Sequence, residues 1–193
     1  YYANISYMYA QMGRVLELLR QSGRLDDTLV IFSSDNGPVT SDPQEAWELN
    51  MAGETGGFRG RKRYLFEGGL RVPGIFRWPG RLASGVLVDT PVTALDILPT
   101  IADYLELVLP EGRAVDGQSI TGLLDEDEAT SLERSSIFYW SIPTPDGMEY
   151  AVREGWWKMI LDPNGQPQYL FNLLHDRYEV HNLIQGESER VKT

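Results

Sequence analysis

Two adjacent hard oxygen donors, Asp35 and Asn36, follow a short apolar run in this 193-residue sequence. Thr28-Leu29-Val30-Ile31-Phe32 is apolar and β-branched, a composition that predicts a strand buried on both faces. Ser33-Ser34 lead to Asp35-Asn36, and Gly37-Pro38 must then end the strand in a tight turn. In open α/β sheets, ligands sit in the crevice beyond the carboxyl ends of the strands. A carboxylate beside a carboxamide at that edge suits Ca²⁺ or Mg²⁺ better than zinc or copper. Asn36-Gly37 is also a common hairpin dipeptide, and on these residues alone both readings stand.

A second group of residues carries charge. Between Arg59 and Arg81 lie Arg59, Arg61, Lys62, Arg63, Arg71, Arg77 and Arg81 against the single acid Glu67. That is a local charge of +6 in a chain of −11, so the other 170 residues carry −17. The overall acidity argues against nucleic acid as a partner. The local cluster is a candidate anion site or a solvated basic loop. Glycines on either side permit positive φ and close backbone approach. Lys62 among them can present a point positive charge to a tetrahedral oxyanion.

The elements that must position these residues are legible in part. Ile5, Met8, Met12, Val15, Leu16 and Leu19 recur at helical spacing, predicting an amphipathic helix over 2–21 that ends at Gly23. Its Met and Tyr residues are expected to pack in a core. Helix, short loop and buried strand form half of a βαβ unit, which predicts a parallel sheet. Residues 38–56 read as a long surface loop with a helical turn near Pro43 to Leu49, where Trp47 and Asn50 either touch a ligand or pack. Gly74 to Trp78 reads as a second strand and Val86 to Val88 as a third. Asp96 is expected to cap a helix reaching Leu105, with Pro99 tolerated in its first turn. Residues 106–135 read as a linker with an acidic run at 125–128. Ser136–Trp140, Met148–Arg153, Trp156–Leu161 and Gln168–Phe171 read as strands of a small antiparallel sheet, with a helix near the end.

Composition bounds the class. Apolar residues make up 42% and mean hydropathy is −0.29, which excludes a disordered chain. No window approaches the roughly 18 apolar residues that span a bilayer. The absence of cysteine removes disulfides, thiolate metal sites and a cysteine nucleophile from these residues.

The pattern as a whole resembles a known family. Asp-Asn-Gly after an apolar strand is followed by G-x-R-G-R-K-x-x-x-F-E-G-G-x-R-V-P-x-x-x-x-W-P-G over Gly57–Gly80. Leu95–Ile101 then reads L-D-I-L-P-T-I, and Asp116–Ser119 reads D-G-Q-S. This resembles the type I sulfatases, the arylsulfatase A and N-acetylgalactosamine-6-sulfatase group of the alkaline-phosphatase-like superfamily. Leu170–Leu183 resembles the family's terminal L-Y-D-L-x-x-D-P-x-E-x-x-N-L segment. The resemblance implies an α/β fold: the C-terminal part of the catalytic sheet-and-helix domain over 1–105, the linker over 106–135, and a small antiparallel subdomain over 136–193.

The resemblance also implies roles. Asp35 and Asn36 match two ligands of the active-site Ca²⁺, or Mg²⁺. Lys62 matches the lysine that contacts the sulfate group, with Arg59 a further candidate substrate contact. Glu67–Pro73 is expected to be architectural, with Arg71 in a structural ion pair. The family nucleophile is a formylglycine made in a C/S-x-P/A-x-R motif, and these residues contain no such motif. The nucleophile, the earlier aspartate ligands and the catalytic histidines are therefore expected upstream, and these residues alone are expected to be inactive. His175 and His181 are expected to be ordinary surface or packing residues. A sulfated small molecule or glycan is the implied substrate, in a periplasmic, secreted or lysosomal setting. A phosphoester-cleaving relative and a non-catalytic polyanion-binding module are the competing readings.

Overall fold

The structure is a computed structural model and describes residues 1–39, 52–125 and 137–187. The expected helical turn at 43–49, with Trp47 and Asn50, lies outside the described residues, as do residues 126–128 of the acidic run. The chain forms two compact units. One comprises residues 1–2, 33–74 and 134–193, and the other residues 3–32 and 75–133. The second unit includes residue 105 and residues 106–133 of the expected linker.

In the second unit, helix α1 (Tyr2–Gln21) occupies the predicted span, and Gly23 follows with φ +68°. Its burial differs from expectation. Met12, Leu16 and Leu19 are half-buried, but Ile5, Met8 and Val15 are exposed and no residue of the helix is fully buried. Strand β1 (Val30–Ser33) neighbours β2 (Gly74–Arg77) in a two-stranded sheet. β1 is half-buried rather than enclosed on both faces, because this sheet has only two strands. Residues 86–88 form no strand.

Helix α3 (Ile97–Tyr104) continues a 3₁₀ turn at Ala94–Asp96. Thr93, not Asp96, is the cap. The Thr93 hydroxyl accepts from Leu95 N at 2.9 Å, and the Asp96 carboxylate accepts from Thr93 N at 2.8 Å. Asp96 is fully buried, and its other oxygen accepts from Gln118 N at 3.0 Å. Ile120 N donates to the Thr100 hydroxyl at 3.1 Å. Ile120 and Leu123 are both 2% exposed, and helix α4 (Thr121–Leu124) follows Ile120. The expected linker therefore contains a packed segment from Gly117 to Leu124, drawn down by buried N–H groups that need acceptors.

In the first unit, β3 (Phe138–Thr144), β4 (Gly147–Glu154), β5 (Trp157–Leu161) and β6 (Pro167–Asn172) form an antiparallel meander. Two-residue loops join β3 to β4, where Thr144 pairs with Gly147, and β4 to β5, where Glu154 pairs with Trp157. Asp162 closes the third loop by accepting from Asn164 N and Gln166 N. The first and third loops fall at the turn residues Pro145-Asp146 and Pro163-Asn164-Gly165, whereas Trp156, expected in a strand, lies in the second loop. Among the described residues no helix follows β6. Leu65, Ala151, Ile160, Phe171 and Leu173 form the core, with Phe66, Leu70, Trp140 and Tyr169 against it. The Leu65–Leu70 segment, with helix α2 (Glu67–Leu70), thus packs on the antiparallel sheet. Among the described residues no helix is long and apolar enough to cross a membrane.

Candidate functional site

The candidate residues all lie in the first unit. Asp35 is exposed, and one of its oxygens accepts from Asn36 N at 3.0 Å. Its other oxygen is left for a ligand. Asn36 is half-buried and donates its amide nitrogen to Gly37 O at 2.9 Å. That bond leaves the carboxamide oxygen as the outward acceptor. The turn therefore offers two hard oxygens of the kind a Ca²⁺ or Mg²⁺ takes, which fits the expected ion. Such an ion needs more donors than these two, and among the described residues no group of three acidic, histidine or cysteine side chains converges.

Backbone bonds tie the basic loop to this turn. Gly37 N donates to Gly69 O at 2.8 Å, Lys62 N to Pro38 O at 3.0 Å, and Gly68 N to Arg59 O at 2.7 Å. The close approach requires glycine. A β-carbon on Gly68 would meet the carbonyls of Phe58, Arg59 and Gly60, and one on Gly37 would meet the carbonyl of Gly68. This gives the E-G-G run a physical reason. The Lys62 side chain is exposed and makes no ion pair among the described residues. The Lys62 backbone is fixed beside the strand-end turn while its side chain is exposed.

Arg59 has a different surrounding. Its guanidinium carbon lies 4.1 Å from the Phe66 ring centre and 4.8 Å from that of Tyr169. It also donates to Glu179 O at 3.0 Å. This guanidinium is engaged in packing. Arg61 lies 4.7 Å from the Tyr64 ring centre. Arg71 approaches Glu67 only to 3.8 Å, a loose version of the expected ion pair. His175 is exposed, and so is His181, 3.7 Å from Asp176.

A buried charge cluster lies beneath the loop. Lys158 Nζ is 2.9 Å from Glu67 Oε1 and 2.8 Å from Glu179 Oε1, and Lys158 and Glu179 are wholly buried. Glu179 Oε2 accepts from Glu67 N at 2.6 Å. Its Oε1 pairs with the ammonium as an ion at 2.8 Å. Burial pushes the Glu179 carboxyl up, against the pull of Lys158. Burial also holds the half-buried Arg153 guanidinium below its ordinary value, although Glu67 favours its charge. Sequence reasoning missed Lys158 and Glu179. The one available sign was the glutamate of the terminal E-x-x-N-L segment, which is Glu179. The asparagine of that segment, Asn182, accepts from Leu170 N at 3.0 Å.

The family model described as Sulfatase matches residues 1–107. The chain is 38% identical over 159 residues to the steryl-sulfatase of Homo sapiens, covering 81% of this chain and 27% of that protein. It is 34% identical over 190 residues to the choline-sulfatase of Rhizobium meliloti (strain 1021), covering 96% and 33%. The chain therefore spans about a quarter to a third of the length of these relatives. The solved structure of Ps i-CgsB superposes with a TM-score of 0.74 at 27% identity, over 93% of this chain and 37% of that one. The same protein has also been solved with k-i-k-neocarrahexaose.

Proposed function

The chain belongs to the sulfatase family, and from that premise we propose that it forms the later part of an enzyme that hydrolyses sulfate esters. The observation that carries this reading is the 3.0 Å bond from Lys62 N to Pro38 O, which ties the backbone of this exposed lysine to the chain just after the Asp35-Asn36 turn. The oxygens of Asp35 and Asn36 would hold a Ca²⁺ or Mg²⁺ ion. Such an ion, when bound, polarises the sulfuryl oxygens as a Lewis acid. Lys62 binds the sulfate group through its ammonium and neutralises charge that builds on the sulfuryl oxygens as the ester S–O bond lengthens. The backbone anchor of Lys62 keeps its flexible stem rooted beside the turn, and the ammonium meets the sulfate within that reach. Arg59, held against Phe66 and Tyr169, supports this loop from within. The attacking oxygen, a formylglycine on the family pattern, comes from residues outside these 193. The carbohydrate ligand of Ps i-CgsB favours a sulfated glycan as substrate over a simple aryl ester.

The test uses the full-length protein with 4-nitrophenyl sulfate. Asp35→Ala is expected to lower kcat/KM by about 10² or more, typical of losing one preorganised electrostatic group. It should also weaken Ca²⁺ or Mg²⁺ binding measured by calorimetry. Full activity and unchanged ion affinity in Asp35→Ala would refute the assignment.

A further inference from the structure

A cation outside the basic run stands beside the candidate site. Arg177 is exposed, and among the described residues it has no carboxylate partner. The neighbouring Asp176 carboxylate is turned away, accepting from His181 N at 2.7 Å and Val180 N at 3.0 Å. The Arg177 guanidinium carbon lies 5.0 Å from the Tyr178 ring centre and 5.6 Å from that of Phe58. The two rings are 5.2 Å apart and tilted by 31°. Arg71 lies 5.0 Å from the same Phe58 ring, with 45% of its side chain exposed.

Phe58 and Arg71 line an open cleft of about 420 Å³, together with Pro38, Thr55, Val72 and Glu54. That volume falls within the roughly 300–1,000 Å³ of small-molecule sites. Pro38 is the residue whose carbonyl accepts from Lys62 N, so the cleft adjoins the candidate sulfate-binding loop.

We propose that this cleft and its Phe58–Tyr178–Arg177 rim form a subsite for a second sulfate group of a sulfated oligosaccharide, next to the ester that is cleaved. The proposal rests on the sulfatase reading and deepens it. The chemistry is complementary. A guanidinium presents a planar fork of donors that matches an oxyanion group. Stacking against Phe58 and Tyr178 limits the orientations of Arg177, so less freedom is lost on binding. The ring pair offers an apolar platform to the C–H face of a sugar. Glu54 on the same cleft can accept a sugar hydroxyl and repels sulfate from its side, which directs the anionic group toward the arginines.

The experiment compares Arg177→Ala, Arg177→Lys and Tyr178→Ala with wild type in the full-length enzyme. Substrates are 4-nitrophenyl sulfate and hexasaccharides of sulfated galactan, chondroitin sulfate and heparin, each beside its desulfated counterpart. On the preferred oligosaccharide Arg177→Ala should lose about 10- to 100-fold more kcat/KM than on 4-nitrophenyl sulfate, the effect of one charge-assisted pair. The loss should lie mainly in KM and shrink with added salt. Arg177→Lys should recover part of it. Equal losses on both substrate classes, or no loss on any oligosaccharide, would overturn the subsite. If wild type cleaves no sulfate ester, the sulfatase reading fails separately. Calorimetry with the same hexasaccharides then decides the subsite: sulfate-dependent binding that Arg177→Ala abolishes supports it, and any other result overturns it.

Discussion

Lys62 and Lys158 belong to the same compact unit and have opposite environments. Lys158 is wholly buried between two carboxylates at 2.9 and 2.8 Å. Lys62 is exposed, has no ion pair among the described residues, and is fixed only through its backbone. One charge is consumed by the fold and the other is held available. The same division runs through the arginines. Arg59 is stacked and hydrogen-bonded, while Arg177 has no carboxylate among the described residues. A charge count cannot separate these classes, because engagement depends on what the fold brings near each cation.

The strongest way to break this comparison is to remove both ammonium groups in turn. Lys158→Met leaves Glu67 and Glu179 buried with no ammonium between them. Removing one partner of a buried pair typically costs about 3–5 kcal/mol. Urea unfolding should show a loss of that order in the full-length protein, and soluble expression should fall. Lys62→Met should leave the unfolding midpoint unchanged while kcat/KM for sulfate esters falls about 10²–10³-fold. A stable Lys158→Met protein, or a destabilised Lys62→Met one, would erase the distinction.

A smaller effect sharpens it. Burial of the Glu179 carboxyl outweighs the pull of Lys158. The folded state therefore holds the Glu179 proton more tightly than the unfolded state does. Where the native state binds more protons, stability falls as pH rises. Glu179's contribution is thus greatest below the ordinary carboxyl value of 4.5 and declines above it. Glu179→Gln removes that dependence. The stability of wild type minus that of Glu179→Gln should decrease as pH is raised from 4.5 toward neutrality, followed by urea unfolding at several pH values. An increase over that range would mean that Lys158 outweighs burial at this carboxyl.

The legible parts of the fold are those set by local spacing. The 3.6-residue pattern and Gly23 define α1, and Pro145-Asp146-Gly147 and Asn164-Gly165 define two loops of the sheet. Long-range polar partners were not legible. The alternation of Trp157, Met159 and Leu161 suggests that they face the core, yet Lys158 and Ile160 are the buried pair. Lys158 faces inward because Glu67 and Glu179 wait there, 91 residues before it and 21 after it in sequence. The Gly117–Leu124 segment resembled a linker because its packing depends on acceptors at Asp96 and Thr100. At the candidate site, Asp35, Asn36 and Lys62 were legible as candidates from residue chemistry, and the family resemblance supplied their roles. That Arg59 belongs to the packing depends on Phe66, and on Tyr169 and Phe171 more than 100 residues later.

Arg59 provides the finest test. If it contacts substrate as a cation, lysine at this position retains much of the function, since the charge remains. If its role is in the cage, lysine fails differently. A compact ammonium cannot stack as a plane on Phe66 while donating sideways to Glu179 O. The stacked contact and the directed hydrogen bond are together worth about 1–2 kcal/mol. Arg59→Lys should therefore lower unfolding stability by that amount. The KM for sulfate esters should stay near the wild-type value, because Lys62 and the Asp35-Asn36 turn are untouched. The reverse pattern, unchanged stability with a raised KM, would move Arg59 into the group of available cations beside Lys62.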